Sequence, residues 1–170
     1  MKKVFALSAL LAALPAWAEA LSVRTQRAGD AITVSATVVV GTDVATVWSV
    51  LTDYDRYSDF VPDLHASRVR GRDDRGIIVE QTGDARFLFM RQRVDATLAV
   101  SEVPFRSVTS VAIGGSFREL SGSYDIAPIE GGTRFSYAGR VVPGEGMPAW
   151  LLGRPMPPVA ASHRRCRPTA

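Results

Sequence analysis

The sequence predicts an α+β fold: one antiparallel sheet of about seven strands, with two short helices inserted after the first strand. Three observations carry this. Residues 31–40, AITVSATVVV, are dense in β-branched side chains, which pack well on a pleated surface and lose rotamer freedom in a helix. Residues 43–60 then set apolar and aromatic side chains at helical spacing. From Leu64 onward the chain becomes a series of alternating segments punctuated by Gly, Pro and Asp, the pattern of strands joined by turns.

Each element follows in order. After the strand at 31–40, Thr42 and Asp43 are N-cap candidates, and Val44, Val47, Trp48 and Leu51 recur at positions i, i+3, i+4 and i+7, which predicts a helix over 43–52. A second short helix, Tyr54 to Phe60, ends before Pro62, because proline disfavours helical backbone at the residue before it. Arg68, Arg70 and Arg72 then alternate with Val69 and Gly71, and Asp73-Asp74-Arg75-Gly76 makes a turn into IIVEQTGDARFLFM at 77–90. Residues 92–102 place Val94, Ala96, Leu98 and Val100 on one face. Pro104 opens a turn, and strands follow near 106–113, 117–127 and 133–142, the last two separated by Glu130-Gly131-Gly132.

A sheet of this kind has one apolar face that must be covered, and the natural cover is an amphipathic helix after the last strand. The sequence does not supply one. PAWLLG at 148–153 could start it, but Pro155, Pro157 and Pro158 remove backbone donors and clash with a continuing helix. The remaining VAASHRRCRPTA is short and basic. Acids and regular alternation vanish at Arg154, which reads either as a changed reading frame near Gly153 or as a sheet whose cover comes from another chain or a lipid surface.

The N-terminus carries Lys2 and Lys3, an apolar run from Val4 to Leu14, and Ala16-Trp17-Ala18 before Glu19. This is the pattern of a secretory signal peptide. Its apolar run falls short of the roughly 20 residues that span a bilayer, so no transmembrane segment is expected once cleavage after Ala18 has occurred. The expected organisation is a signal peptide at 1–18, one domain at 19–153 and an irregular tail at 154–170, in a periplasmic protein, with secretion from the cell as the alternative.

Both lysines leave with the signal, so a formal net charge of +3 falls to about +1. Four tail arginines, Arg154, Arg164, Arg165 and Arg167, supply even that sign, and in the body arginines alternate with acids. Nucleic-acid binding, which needs basic residues gathered on one face, is therefore not expected. Cys166 is the only cysteine, so no internal disulfide forms.

The segment LTDYDRYSDFVPDL at 51–64 sets four carboxylates among three aromatic rings. A calcium loop starting at Asp53 would need oxygen ligands at its third and fifth positions, Gly at its sixth and Glu at its twelfth. The chain has Asp55, Tyr57, Ser58 and Leu64 there, and the match fails. His65 and His163 are the only histidines, so no transition-metal set is expected either. Covalent catalysis lacks a nucleophile: the exported chain has no lysine, and its one thiol is in the tail. Only carboxylates, His65 and the four tyrosines remain for acid–base work. The periodicity favours a cavity rim, with Trp48, Leu51, Tyr54, Tyr57 and Phe60 turned inward and Asp55, Asp59 and Asp63 in water.

The strands sort in the same way. Phe87 and Phe89 share a face, as do Leu120, Tyr124 and Ile126, and likewise Phe135 and Tyr137. Phe117 stands beside Arg118, whose charge could meet a polar head group or simply be solvated. Such aromatics suit either a ligand pocket or an ordinary core.

Three segments carry a family likeness. VWSVLTDYDRYSDFVP (47–62) resembles the signature of the polyketide cyclase/dehydrase and coenzyme-Q-binding group of the START-like helix-grip (SRPBCC) superfamily. GGSFRELSGSYDI (114–126) followed by GGTRFSYAGRVVP (131–143) resembles that group's closing pair of strands. The likeness covers roughly 31–153 and departs where the group has its long C-terminal helix. It implies a curved sheet around a cavity with the two short helices as a mobile lip at its mouth. The cavity candidates are Tyr54, Tyr57, Phe60, Phe87, Phe89, Phe117, Arg118, Tyr124, Phe135 and Tyr137.

The implied ligand is a hydrophobic small molecule, such as a lipid or isoprenoid quinone, bound without chemistry, without cofactor and with at most a transient contact with a membrane surface. The alternatives are a cyclase or dehydratase acting on a polyketide-like substrate in the same cavity, and a truncated, non-functional copy.

Overall fold

A computed structural model describes residues 18–145 apart from Arg75, Leu88 and Phe89. Residues 1–17 of the expected signal peptide, the segment that would start a closing helix, the tail from Arg154 and Cys166 all lie outside the described residues, while Ala18, its expected last residue, opens the first strand. Eight strands form one antiparallel sheet: β1 (Ala18–Ala28), β2 (Ala31–Val40), β3 (Leu64–Asp73), β4 (Gly76–Phe87), β5 (Met90–Val103), β6 (Ser107–Gly115), β7 (Phe117–Ile129) and β8 (Gly132–Pro143). Their order across the sheet is β1-β2-β8-β7-β6-β5-β4-β3. Between β2 and β3 lie helix α1 (Val44–Leu51), a 3₁₀ turn at Tyr54–Arg56 and helix α2 (Tyr57–Phe60).

The sheet has one strand more than the sequence predicts. β1 pairs with β2 from Ala28↔Ala31 back to Ala18↔Val40, through a two-residue turn in which Gly29 adopts φ 60°, a conformation glycine takes without strain. Residues 21–30 are all exposed, so β1 is an edge strand held by backbone hydrogen bonds and shows no buried alternation. The predicted run at 77–90 is also divided, because Phe87 pairs with Met90 across a hairpin.

Curvature has a local cause. Register shifts interrupt the β3–β4, β5–β6 and β7–β8 pairings at Leu64/Ala66, Val69/Gly71, Thr97/Leu98 and Phe117/Glu119, and each such irregularity bends and twists the strand that carries it. On the inner face, alternate residues form the core: Val38 and Val40 of β2, Phe135 of β8, Ile126 of β7, Val108 of β6, Val100 of β5, and Ile77 and Val79 of β4.

α1 covers one end of that face. Val47 and Leu51 are buried, and Val44 and Trp48 pack partly against the same cluster, as their spacing requires. The helix starts where Asp43 accepts hydrogen bonds from the Thr46 amide at 2.8 Å and the Thr46 hydroxyl at 2.9 Å. These bonds hold the Asp43 carboxyl below its ordinary range, the backbone amide contributing most. Asp43→Ala is expected to lower the melting temperature by about 3–5 °C at neutral pH. A folded-state pKa below the unfolded one stabilises above the unfolded value and loses that effect as pH falls through the folded one. The difference between variant and parent in thermal melts should therefore close in acid.

Candidate functional site

The lip that follows α1 is fastened to the far edge of the sheet. Asp55 accepts a hydrogen bond from the Val69 amide of β3 at 2.8 Å. The chain then reverses at Asp63, whose φ of 66° turns its carbonyl to accept the Asp84 amide of β4 at 2.8 Å. That approach needs Gly83: a Cβ there would stand 2.6 Å from the Asp63 oxygen. The lip is therefore tied to β3 and β4 in this structure. Asp53 and Asp59 both pair with Arg56, at 3.6 and 3.2 Å. With Asp55 on β3, these carboxylates are spent on separate structural contacts.

Beneath the lip, a chain of rings links the helices to the sheet. Trp48 meets Phe105 of the β5–β6 turn at 5.6 Å between centroids. Tyr54 meets Tyr57 edge-on at 5.6 Å, and Tyr57 meets Phe60 at the same spacing. On the sheet, the β7–β8 register sets Tyr124 opposite Tyr137 and Ile126 opposite Phe135, so Tyr124 lies 4.8 Å from Tyr137 and 5.5 Å from Phe135.

Between lip and sheet is a cavity of about 70 Å³, walled by Tyr54, Tyr57, Val61 and Leu64 on the lip side. Val79, Gln81, Leu98, Val100, Val108, Ser110 and Tyr124 form its sheet side. No lining residue is charged. The enclosed part is small beside the ~300–1,000 Å³ of a drug-sized ligand site, so a larger ligand would extend out of it along the inner face, where Leu98, Ser110 and Tyr124 are only partly buried. A larger depression of about 430 Å³ lies elsewhere, bounded by Gly41, Asp43, Pro128 and Gly132. It shares no lining residue with the aromatic site.

The predicted site residues divide accordingly. Tyr54, Tyr57 and Tyr124 line the cavity. Phe60 packs behind Tyr57, and Phe135, 5% exposed, is core. Phe117 is half-buried at the start of β7, and Arg118 beside it stands in solvent, 3.4 Å from Asp30 of the β1–β2 turn, and does not line the cavity. Phe87 belongs to β4 by its backbone, and Phe89 lies outside the described residues. Sequence reasoning missed Ser110 and Gln81, neutral residues of the cavity wall; the two-residue turn at Glu130-Gly131 fixes the β7–β8 register and thereby places Gly122 opposite Gly139.

The polar chemistry is that of buried phenols. Tyr54 donates to Glu102 Oε1 at 2.6 Å, with the Arg72 guanidinium 6.0 Å from its ring centre. Tyr57 donates to the Leu51 carbonyl. Burial, more than any neighbour, pushes all four tyrosines above the ordinary phenol range; at Tyr54 the bond to Glu102 adds to it, and at Tyr57 and Tyr137 the nearby Tyr124 does. The site therefore presents neutral hydroxyls on apolar walls at neutral pH.

A family model described as polyketide cyclase / dehydrase and lipid transport matches residues 31–166 of the chain, a span that runs on through the altered composition after Arg154. No curated protein matches it. Among solved structures, a START superfamily protein from Mycobacterium smegmatis is 19% identical with a TM-score of 0.58, over 71% of this chain and 86% of that one. A STAR-related lipid transfer protein from Xanthomonas axonopodis is 15% identical with a TM-score of 0.53, over 78% and 88%. The Zhui aromatase/cyclase from Streptomyces sp. R1128 is 16% identical with a TM-score of 0.54, over 66% and 68%. At these identities the likeness is one of fold.

Proposed function

We propose, from the premise that this chain belongs to the polyketide cyclase / dehydrase and lipid transport family, that it is an exported, periplasmic carrier of a lipid or isoprenoid quinone and leaves its ligand chemically unchanged. The observation that carries this reading is the cavity wall. Its lining side chains are aliphatic, aromatic or neutral-polar, so binding draws on apolar burial, and its tyrosines are held protonated by that same burial. Some neighbours of the same fold carry the names of lipid transfer proteins and others of aromatase/cyclases, so the fold does not choose between holding and converting.

Native mass spectrometry of the protein from its own cells, followed by lipid extraction, tests the carrier reading directly. A folded chain carrying an apolar molecule of constant mass is the expected result, and a folded chain with nothing bound would overturn it. Removing the Tyr124 hydroxyl separates carrier from enzyme. In a carrier, Tyr124→Phe should shift the dissociation constant for the extracted ligand by no more than about tenfold, since one hydrogen bond nets ~0.5–1.5 kcal/mol. Turnover of that ligand by the parent, abolished in Tyr124→Phe, would establish the cyclase or dehydratase reading instead.

A further inference from the structure

The β5–β6 turn breaks two rules with one residue. Val103 to Arg106 close a four-residue turn in which the Arg106 amide donates to the Val103 carbonyl at 3.0 Å. Pro104 stands second and Phe105 third, with φ 59°. Positive φ at the third place marks a type II turn, where glycine is the usual residue and a bulky side chain is strained. Phe105 is also 52% exposed, and Val103 beside it 50%. Glycine here would remove both the strain and the exposed ring, so the turn itself gains nothing from phenylalanine.

The ring is held out from the body on a firm support. Trp48 of α1, packed partly against the core, meets it at 5.6 Å between centroids, with the planes tilted by 46°. Behind the turn, the Ile126 amide of β7 donates to the Arg106 carbonyl at 2.8 Å. The result is a small apolar knob, Val103-Pro104-Phe105 backed by Trp48. None of these residues lines the cavity.

Charge narrows the partner. α1, VATVWSVL, has no acid or base along its length, although the solvent side of a surface helix ordinarily carries charges. Its exposed residues are Ala45, Thr46, Ser49 and Val50. In the turn the one ion is Arg106, exposed and positive. The nearest acid along the chain, Glu102, accepts the Tyr54 hydroxyl, and Asp53, past the end of α1, pairs with Arg56. A stable protein interface takes about 800 Å² from each partner, more than one turn and a supporting ring present. A bilayer needs far less: an aromatic ring at headgroup level and a cation beside it for the phosphates.

We propose that Val103-Pro104-Phe105 is a docking knob that enters the headgroup layer of an anionic bilayer, with Phe105 as its anchor and Arg106 on the lipid phosphates. The surface is separate from the cavity lining and would serve whatever the cavity carries.

Cosedimentation of the full exported chain with sucrose-loaded vesicles of phosphatidylcholine and phosphatidylglycerol in equal parts, at low salt, tests this. The parent should bind. Phe105→Gly should bind about tenfold more weakly, the worth of burying much of one aromatic side chain, and should melt no lower than the parent, because glycine takes positive φ freely. Arg106→Gln should lose about fivefold on these vesicles and nothing on pure phosphatidylcholine. Ile113→Ser removes a side chain that is 62% exposed at the other end of β6 and should leave binding as it was. Equal losses in Ile113→Ser and Phe105→Gly would mean unspecific adhesion and would overturn the knob. A Phe105→Gly chain that melts several degrees lower and still binds would assign the ring to the fold instead. A parent that ignores the vesicles but dimerises in sedimentation velocity, with Phe105→Gly monomeric, would make the knob a contact between copies and end the lipid proposal. A parent that does neither ends it as well.

Discussion

Raising the pH past 10 should unfold this domain before it ionises its tyrosines. The chain has four tyrosines, and all four, Tyr54, Tyr57, Tyr124 and Tyr137, lie in the ring system at the site with their phenols pushed above the ordinary value of 10.0, burial being the first cause in each. The sign follows from linkage. A phenol that holds its proton more tightly when folded contributes full stability below the unfolded pKa and loses it as pH rises towards the folded one. The loss is up to ~1.4 kcal/mol per pH unit for each tyrosine. Four together approach ~5 kcal/mol per unit, against the ~5–15 kcal/mol a small domain has in all. Phenolate absorbance and far-ultraviolet circular dichroism, followed through one alkaline titration, should therefore change together in a single steep step. A phenolate signal that rises near pH 10 while the dichroism holds would show that the rings are open to water.

The second large effect is expected at Gly139. A methyl there overlaps the Tyr137 hydroxyl and crowds its ring, so Gly139→Ala must drive the phenol from its place over the glycine. The ring cannot move alone, because Tyr124 lies 4.8 Å from it and Phe135 stacks on Tyr124 in turn. Overpacking of this kind costs ~1–3 kcal/mol. Thermal melts of Gly139→Ala, Tyr137→Phe and the double variant form a cycle. The double variant should recover part of the loss, since the phenyl ring lacks the atom that the methyl meets first. Strict additivity would mean that the glycine and the tyrosine are independent.

Much of this arrangement was legible in the sequence, for reasons that differ by element. α1 declared itself through Val44, Val47, Trp48 and Leu51, because helical periodicity is a local property, and Asp43 marked its start because capping acts over three residues. The segment from Tyr54 to Phe60 read as one helix but is a 3₁₀ turn passing into a single turn of α-helix, a distinction that seven residues are too few to encode. β1 was invisible. Its sequence LSVRTQRA places Leu21 and Val23, both largely exposed, among polar residues, and only pairing with β2 makes it a strand. The bed of Tyr137 was harder still, since a glycine contributes to packing by the space it leaves to a neighbour, and Gly122 and Gly139 meet only through a register 17 residues apart in the chain. That register follows from Ile129 pairing with Gly132 across a two-residue turn, so placing the turn at Glu130-Gly131 would have set Tyr124 beside Tyr137 in advance.

The strand order also sets a timetable. β2 finds its inner partner only in β8, with Thr37 opposite Ser136 and Ile32 opposite Val141, close to a hundred residues later. Non-local pairing of this kind slows folding, and the wait for β8 lasts until the last strand is free to pair. Throughout it, AITVSATVVV has one unpaired edge and an apolar face, the makings of a cross-β contact with a neighbouring chain. A chaperone that binds extended apolar segments should therefore protect this stretch, and should release it once β8 has paired.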